Sequence, residues 1–222
     1  MKGHGAHGHD HHAHGDREPE APGTTHDPAW WEARYRSTPA VWSGRVNASL
    51  AEIASALPPG TALDAGAGEG GDAVWLAEHG WDVTAVDGSR TALDRGAAAA
   101  AERGVMVTWV EADLRAWVPP TRYDLVTSHY LHAEGARGWG WLADAVAPGG
   151  TLLVVGHHPS DLDGPVPRPD LERLGWTAED AAADLDPAQW ASIEPQVLER
   201  AIVHHGVETV VRDAVLVARR RT

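Results

Sequence analysis

Three aspartates in this chain stand where a carboxylate can do recognition chemistry. Asp64, Asp87 and Asp113 each lie at the end of an apolar run, respectively the one beginning at Thr61, Asp82 to Val86, and Val105 to Val110. Between the first two lies Gly66-Ala67-Gly68-Glu69-Gly70-Gly71-Asp72, with four glycines in six residues counted from Gly66. At such a turn backbone N–H groups are unpaired and a ligand can come close to the main chain. A carboxylate at Asp87 can accept two ribose hydroxyls, one at Asp113 can accept an adenine amino group, and one at Asp64 can order the turn or hold an ammonium group. A single aspartate of this kind says little, since Asp commonly caps turns. Three at successive strand ends describe a cradle for an adenosyl ligand.

Gly66, Gly68 and Gly71 also satisfy G-x-G-x-x-G, the dinucleotide fingerprint, so two ligands compete for the turn. A dinucleotide rests its pyrophosphate on the helix N-terminus, where Glu69 and Asp72 would oppose it; a cation without phosphate would be favoured by both acids. The charge pattern therefore points to S-adenosylmethionine, whose sulfonium and ammonium are positive, ahead of NAD. An NAD-dependent oxidoreductase is the lesser alternative. A non-catalytic S-adenosylmethionine or metal sensor is another.

Histidines are the next chemical feature. His129 and His132 follow the run Tyr123 to Ser128, and His157 and His158 follow Thr151 to Gly156. If those runs are neighbouring strands, about 4.8 Å apart, the four should gather near a methyl acceptor. His129 or His157 can then serve as a general base at neutral pH. Two or three could instead hold a metal or metalloid, or all could be rim residues, with the adjacent His157 and His158 pointing to opposite sides. His204 and His205 read as structural. His4, His7, His9, His11, His12 and His14 form a separate tract able to bind Ni, Zn or Cu loosely, without a firm metal site.

The elements that must position these groups follow from the pattern. Asp27 and Pro28 open an amphipathic helix bearing Trp31 and Tyr35, and Asn47 can cap a second, Ala48 to Leu57. Residues 28–57, with Trp42, are expected to form a helical lid or extension. A helix from Ser89 to Arg103 and another from about Trp139 to Ala147 separate the apolar runs. Strands alternating with helices require crossovers, hence a doubly wound α/β domain with a parallel sheet covered on both faces. A helical piece, Thr177 to Leu185, precedes Ser192 to His204 and Thr209 to Ala218, which hairpin-length residues join, so the sheet should finish with an antiparallel pair.

Composition bounds the rest. The 222 residues, 43% of them hydrophobic, suit one domain at 28–222 behind a tail at 1–27, which lacks apolar periodicity and is expected to be disordered. There is no cysteine, which removes thiol nucleophiles and zinc-thiolate sites. A formal charge of −14 argues against a broad phosphate-tracking surface, so a small-molecule substrate is expected and no nucleic acid. Neither a membrane-length apolar run nor a secretory leader is written in the chain, which makes cytoplasm the expectation. Oligomeric state is not encoded in these patterns.

The run LDAGAGEGGDAVWLAEHGWDVTAVDGS resembles the cofactor-binding half of class I S-adenosylmethionine-dependent methyltransferases, and within them the small-molecule group that includes tellurite-resistance and thiopurine methyltransferases. EADLRAW, YDLVTSHYLH, PGGTLLVVGHHP and RDAVLVARR fall in that family's order. The resemblance implies a Rossmann-like seven-stranded sheet of order 3-2-1-4-5-7-6, and S-adenosylmethionine as cofactor with S-adenosylhomocysteine as product. It implies Asp64, Gly66 and Gly68 at the methionine turn, Asp87 with Gly88 and Ser89 at the ribose, and Asp113 with Ala112 and Leu114 at the adenine. Ser128 and His129 would face methionine and acceptor. Trp31, Tyr35, Trp42 and Asn47 would form the lid, with His132 and His158 on the acceptor side. The Asn-Pro-Pro-Tyr motif and catalytic cysteine of base-modifying nucleic-acid methyltransferases are absent.

Overall fold

The computed structural model describes residues 26–131, 138–168 and 171–222. The histidine tract at 4–14 and His132 lie outside the described residues. Helix α1 (Pro28–Ser37) starts under Asp27, whose carboxylate accepts the Trp30 N–H at 2.8 Å, with Pro28 where no helical N–H is needed. Helix α2 (Ala48–Ser55) starts under Asn47, whose side chain accepts from Ser49 N at 2.9 Å. There follow β1 (Thr61–Ala65), α3 (Gly71–Glu78), β2 (Asp82–Asp87), α4 (Arg90–Glu102), β3 (Thr108–Glu111) and β4 (Tyr123–His129). The chain continues with α5 (Gly140–Asp144), β5 (Val146–His157), α6 (Leu171–Leu174), α7 (Ala178–Ala183), β6 (Trp190–His204) and β7 (Val207–Arg220).

One seven-stranded sheet has the order β3-β2-β1-β4-β5-β7-β6. The pairs among β1 to β5 are parallel, while β7 is antiparallel to both β5 and β6. Alternate residues serve opposite faces. Leu63, Val126, Leu152, Val154 and Leu216 pack with Leu142 of α5 and Ala181 of α7, while Ala62, Val83, Leu125, Leu153 and Val215 pack with Leu50 of α2 and Leu76 of α3. Both faces being covered, the strands read as continuous apolar runs. Asp64 interrupts one of them.

Several boundaries differ from expectation: α2 ends at Ser55 and not Leu57, α5 is only Gly140–Asp144, and β6 and β7 extend to Trp190–His204 and Val207–Arg220. Two further shifts have local reasons. β3 begins at Thr108 and not Val105, because the first β2 partner is Thr84↔Thr108 and the Val105 N–H is spent on Ala100 O at the exit of α4. β5 begins earlier than Thr151, at Val146, paired there with Tyr123 across a register shift. The β6–β7 turn is His205-Gly206, with φ of 49° and 77°, the left-handed pair that matches the twist of a two-residue hairpin.

Candidate functional site

The carboxyl ends of β1, β2, β4 and β5 open into a cavity of about 1010 Å³. That is at the upper end of the roughly 300–1,000 Å³ of small-molecule sites, room for a cofactor and an acceptor together. Its wall includes Asp64, Gly66, Gly68, Asp87, Gly88, Asp113, Leu114, His129 and His157, with Trp31, Tyr35, Trp42 and Asn47 from the N-terminal extension. Switch-point geometry explains the location: β1 is flanked by β2 on one side and β4 on the other, so their connections leave to opposite sides and a crevice opens between them.

Gly66 (φ +82°) and Gly68 (φ +53°) adopt the left-handed backbone that glycine alone takes without strain, and a Cβ at Gly68 would lie 2.9 Å from the Tyr35 hydroxyl. The turn is therefore roofed by the extension. Asp87 closes it from below, its Oδ2 accepting from Gly68 N and its Oδ1 from Ser89 N, both at 2.8 Å. Burial raises the Asp87 carboxyl above its ordinary value against those N–H bonds.

Asp64 is 2% exposed, and its Oδ2 has no hydrogen-bond partner among the described residues. Burial, then the charge of Asp72, push its carboxyl well above the usual carboxylate range, opposed by His129. A buried acceptor left open costs free energy unless something fills it. The site thus presents an unfilled acceptor beside a glycine cradle, which fits an ammonium-bearing adenosyl ligand and would suit the pyrophosphate of a dinucleotide poorly.

The acids of the glycine turn do other work than the sequence pattern suggested. Glu69 anchors the roof: Oε2 accepts from Val41 N at 3.0 Å and Trp42 N at 2.9 Å, and Oε1 pairs with Arg95 Nη1 at 2.7 Å. Arg95 Nη2 in turn donates to the carbonyls of Tyr35 and Thr38. Asp72 accepts from Asn47 N at 2.6 Å and bonds His129 Nδ1 at 2.5 Å. Their charges are already answered within the protein, so the preference for a cation rests on Asp64. Glu32, which sequence reading passed over, fixes α1 to α4 by accepting from Ser89 Oγ, Thr91 N and Thr91 Oγ1. Its signal in the sequence was no more than an acid one position from the Trp31 and Tyr35 face of α1.

The histidines separate. His129 has both ring nitrogens engaged, Nδ1 with Asp72 and Nε2 with Thr127 Oγ1 at 2.8 Å, and its side chain is 6% exposed. Burial lowers its pKa but Asp72 and Asp64 outweigh that and raise it, favouring an imidazolium locked in place. His157 lines the cavity with Nδ1 3.6 Å from Asp213 Oδ1 and its ring 4.5 Å from that of Tyr130; burial brings it down to about 4, so it is neutral at neutral pH. His158 does not line the cavity: its Nδ1 lies 3.2 Å from Ser160 N, capping the turn Pro159–Asp161. His204 and His205, read as structural, do line it, because the hairpin turn folds over its rim.

Other expected contacts are indirect. Ser89 is buried as the cap of α4, its Oγ accepting from Ala92 N at 3.2 Å, and Ser128 and Ala112 are likewise absent from the cavity wall. Asp113 reaches the wall, but its carboxylate is held by Arg115, with Nη2 to Oδ2 at 2.7 Å and Nε to Oδ1 at 2.9 Å. That bond keeps the Asp113 carboxyl below its usual range. Among the described residues no group of three or more His, Asp or Glu is arranged to hold a metal, and no helix is long and apolar enough to cross a membrane.

Strand order, closing hairpin and switch-point cavity together define the class I S-adenosylmethionine-dependent methyltransferase fold. Residues 62–150 match the family model described as a methyltransferase domain, and the chain is related to methyltransferases of this class. The 2-heptyl-1-hydroxyquinolin-4(1H)-one methyltransferase of Mycobacteroides abscessus is 33% identical over 137 residues, covering 54% of this chain and 60% of that protein. Ribosomal RNA small subunit methyltransferase C of Alcanivorax borkumensis is 30% identical over 133 residues, covering 54% of this chain and 41% of that protein. The chain thus spans less than two thirds of either curated relative. A solved structure described as the conversion of a disulfide bond into a thioacetal group during echinomycin biosynthesis superposes with a TM-score of 0.65 at 26% identity, over 87% of this chain and 92% of that one.

Proposed function

We propose that this protein transfers a methyl group from S-adenosylmethionine to a small-molecule acceptor. The observation that carries the reading is the unpartnered Oδ2 of buried Asp64 beside the Gly66-Gly68 turn, with the Asp87 carboxylate across it. Asp64 would take the ammonium of the methionine part, and Asp87, fixed by Gly68 N and Ser89 N, would accept the ribose hydroxyls with its remaining lone pairs. Leu114 and the backbone around Asp113 would flank the adenine. Asp113 itself would serve that edge only by sharing its carboxylate with Arg115.

When bound, S-adenosylmethionine supplies a methyl group on a positive sulfur, ready for in-line displacement. The protein's own part is alignment, exclusion of water, and removal of a proton where the acceptor has one to lose. The roof formed by Tyr35, Trp42 and Asn47 is tied to the glycine turn through Glu69 and Asp72. His129 positions Asp72 and does not offer a free nitrogen. His157 is the neutral imidazole on the acceptor side, and its low pKa makes it a weak base. The arrangement suits acceptors that need little deprotonation.

The two curated relatives are named for a hydroxyquinolone and for ribosomal RNA, so their names alone leave both acceptor classes open. The net charge of −14 favours the small molecule, because RNA binding rests on Lys and Arg neutralising phosphates. Incubation of the full chain with methyl-labelled S-adenosylmethionine and a panel of phenols, thiols, amines and oxyanions, alongside ribosomal RNA, tests this by mass spectrometry. Product from the small molecules is expected. Label found in RNA alone would refute the acceptor class, and no binding of S-adenosylhomocysteine would refute the reading as a whole.

A further inference from the structure

The end of the cavity away from the glycine cradle holds Tyr130, His157, Arg168, Arg200 and Asp213, walled by Val166, Ile202 and Val203. Here one carboxylate serves several partners. Asp213 Oδ2 accepts from Tyr130 Oη at 2.8 Å and from Arg200 Nε at 2.5 Å, and Oδ1 lies 3.6 Å from His157 Nδ1. Tyr130 is held at φ 49°, a strained conformation for a tyrosine, at the point where β4 ends against β5. The network therefore fixes Tyr130, Arg200 and His157 in the wall. It also uses up the negative charge of Asp213.

Arg168 is left over. Its Nε and Nη1 are shut off from solvent, and neither makes a hydrogen bond among the described residues. Asp161, another acid near it among the described residues, bonds Arg212, its Oδ2 accepting the Arg212 backbone N–H at 2.7 Å and its Oδ1 3.6 Å from the guanidinium. Burial disfavours the Arg168 cation most, and the charge of Arg200 adds to that, against the opposing charges of Asp161 and Asp213. A guanidinium cannot escape by losing its proton, and a buried cation without a close counterion is costly. Arg168 thus meets the charges of Asp161 and Asp213 without a hydrogen bond from its Nε or Nη1 to either, in a chain whose formal charge is −14.

We propose that Arg168, backed by Arg200, is an anion-binding subsite for the acceptor, which carries a carboxylate or an ionised hydroxyl on an apolar body. The anion would meet the guanidinium where Arg168 lines the cavity, and Val166, Ile202 and Val203 would take the apolar part. Such an acceptor arrives already ionised and needs no strong base, in keeping with a locked His129 and a weakly basic His157. The inference rests on the reading of the cavity as a methyltransferase site.

Calorimetry on the full chain separates the two. S-adenosylhomocysteine is titrated first, and failure to bind would overturn the methyltransferase reading. With S-adenosylhomocysteine saturating, benzoate is expected to bind at least about tenfold more tightly than its neutral isostere benzamide, the size of one charge-assisted hydrogen bond. Arg168→Gln should abolish that preference while S-adenosylhomocysteine affinity stays within about twofold, and Arg168→Lys should keep part of it. Equal binding of the two probes to the unmutated protein, no binding of either, or a preference that survives in Arg168→Gln would overturn the anion subsite and leave the methyltransferase reading standing. The comparison on the unmutated protein does not depend on any variant folding.

Discussion

Replacing Asp64 by Asn removes a titratable carboxyl and keeps the shape. In the free protein its ionised form is disfavoured: Asp64 is buried, faces Asp72, and leaves Oδ2 unpartnered among the described residues. Its carboxyl is raised in the folded state, so between the ordinary carboxylate value and the raised one the folded protein binds more protons than the unfolded. Over that window rising pH costs the native state stability, and the cost is complete above the raised value. Asp64→Asn should therefore leave the thermal midpoint of the free protein unchanged or higher at neutral pH and reduce its fall with pH. Cofactor binding should go the other way. A hydrogen bond to a charged group is worth about 1.5–3 kcal/mol, so S-adenosylhomocysteine affinity should drop by roughly ten- to a hundredfold. In the unmutated protein the ammonium would stabilise the carboxylate, so binding should release protons and tighten as pH rises from about 6 toward 9. Calorimetry in two buffers of different ionisation enthalpy reads the proton count. Unchanged affinity in Asp64→Asn, or the same proton release in both proteins, would sink the assignment of Asp64 to the ammonium.

Four more expectations follow from the same contacts. Asp87→Ala should weaken S-adenosylhomocysteine binding by about 2 kcal/mol or more, roughly thirtyfold; affinity equal to the unmutated protein in calorimetry would remove Asp87 from the ribose. Glu69→Ala releases the roof and strands Arg95, at a cost on the order of 2 kcal/mol, and should speed hydrogen exchange at the Val41 and Trp42 amides, whose unaltered protection would refute its anchoring role. His129, raised by Asp72, gives stability that is fully present below the unfolded histidine value and lost as pH rises through the folded one. The loss of thermal midpoint in His129→Gln should therefore be largest near about pH 6 and shrink at higher pH, and a constant difference would deny the ion pair. Asp213 is held down to about 2 despite burial, by His157 and Arg200, so its contribution is present above the ordinary carboxylate value and lost as pH falls through about 2. Asp213→Asn should cost on the order of 3 kcal/mol, roughly 6–12 °C, in thermal denaturation at neutral pH, and no loss would mean the network is not a buried charge pair.

The α/β alternation, the helix starts at Asp27 and Asn47, and the closing hairpin were legible in the sequence because each depends on neighbours a few residues away. So was the location of the cavity, since glycines with acids at successive strand ends mark the carboxyl edge of a parallel sheet whatever the side chains beyond it do. Partner choice was not legible, because it joins residues far apart in the chain. Glu69 and Asp72 look like ligand groups until Val41, Trp42, Arg95, Asn47 and His129 are brought to them. Asp113 looks equally available until Arg115 closes on it. His129 and His157 are alike as strand-end histidines, yet one meets Asp72 and rises while the other is buried beside Tyr130 and falls. The sequence by itself determined which groups stand at the mouth of the sheet. Only the tertiary structure decided that Oδ2 of Asp64, and Nε and Nη1 of Arg168, which no sequence pattern singled out, make no hydrogen bond among the described residues, because a buried polar atom is judged by what the fold leaves within hydrogen-bonding distance of it.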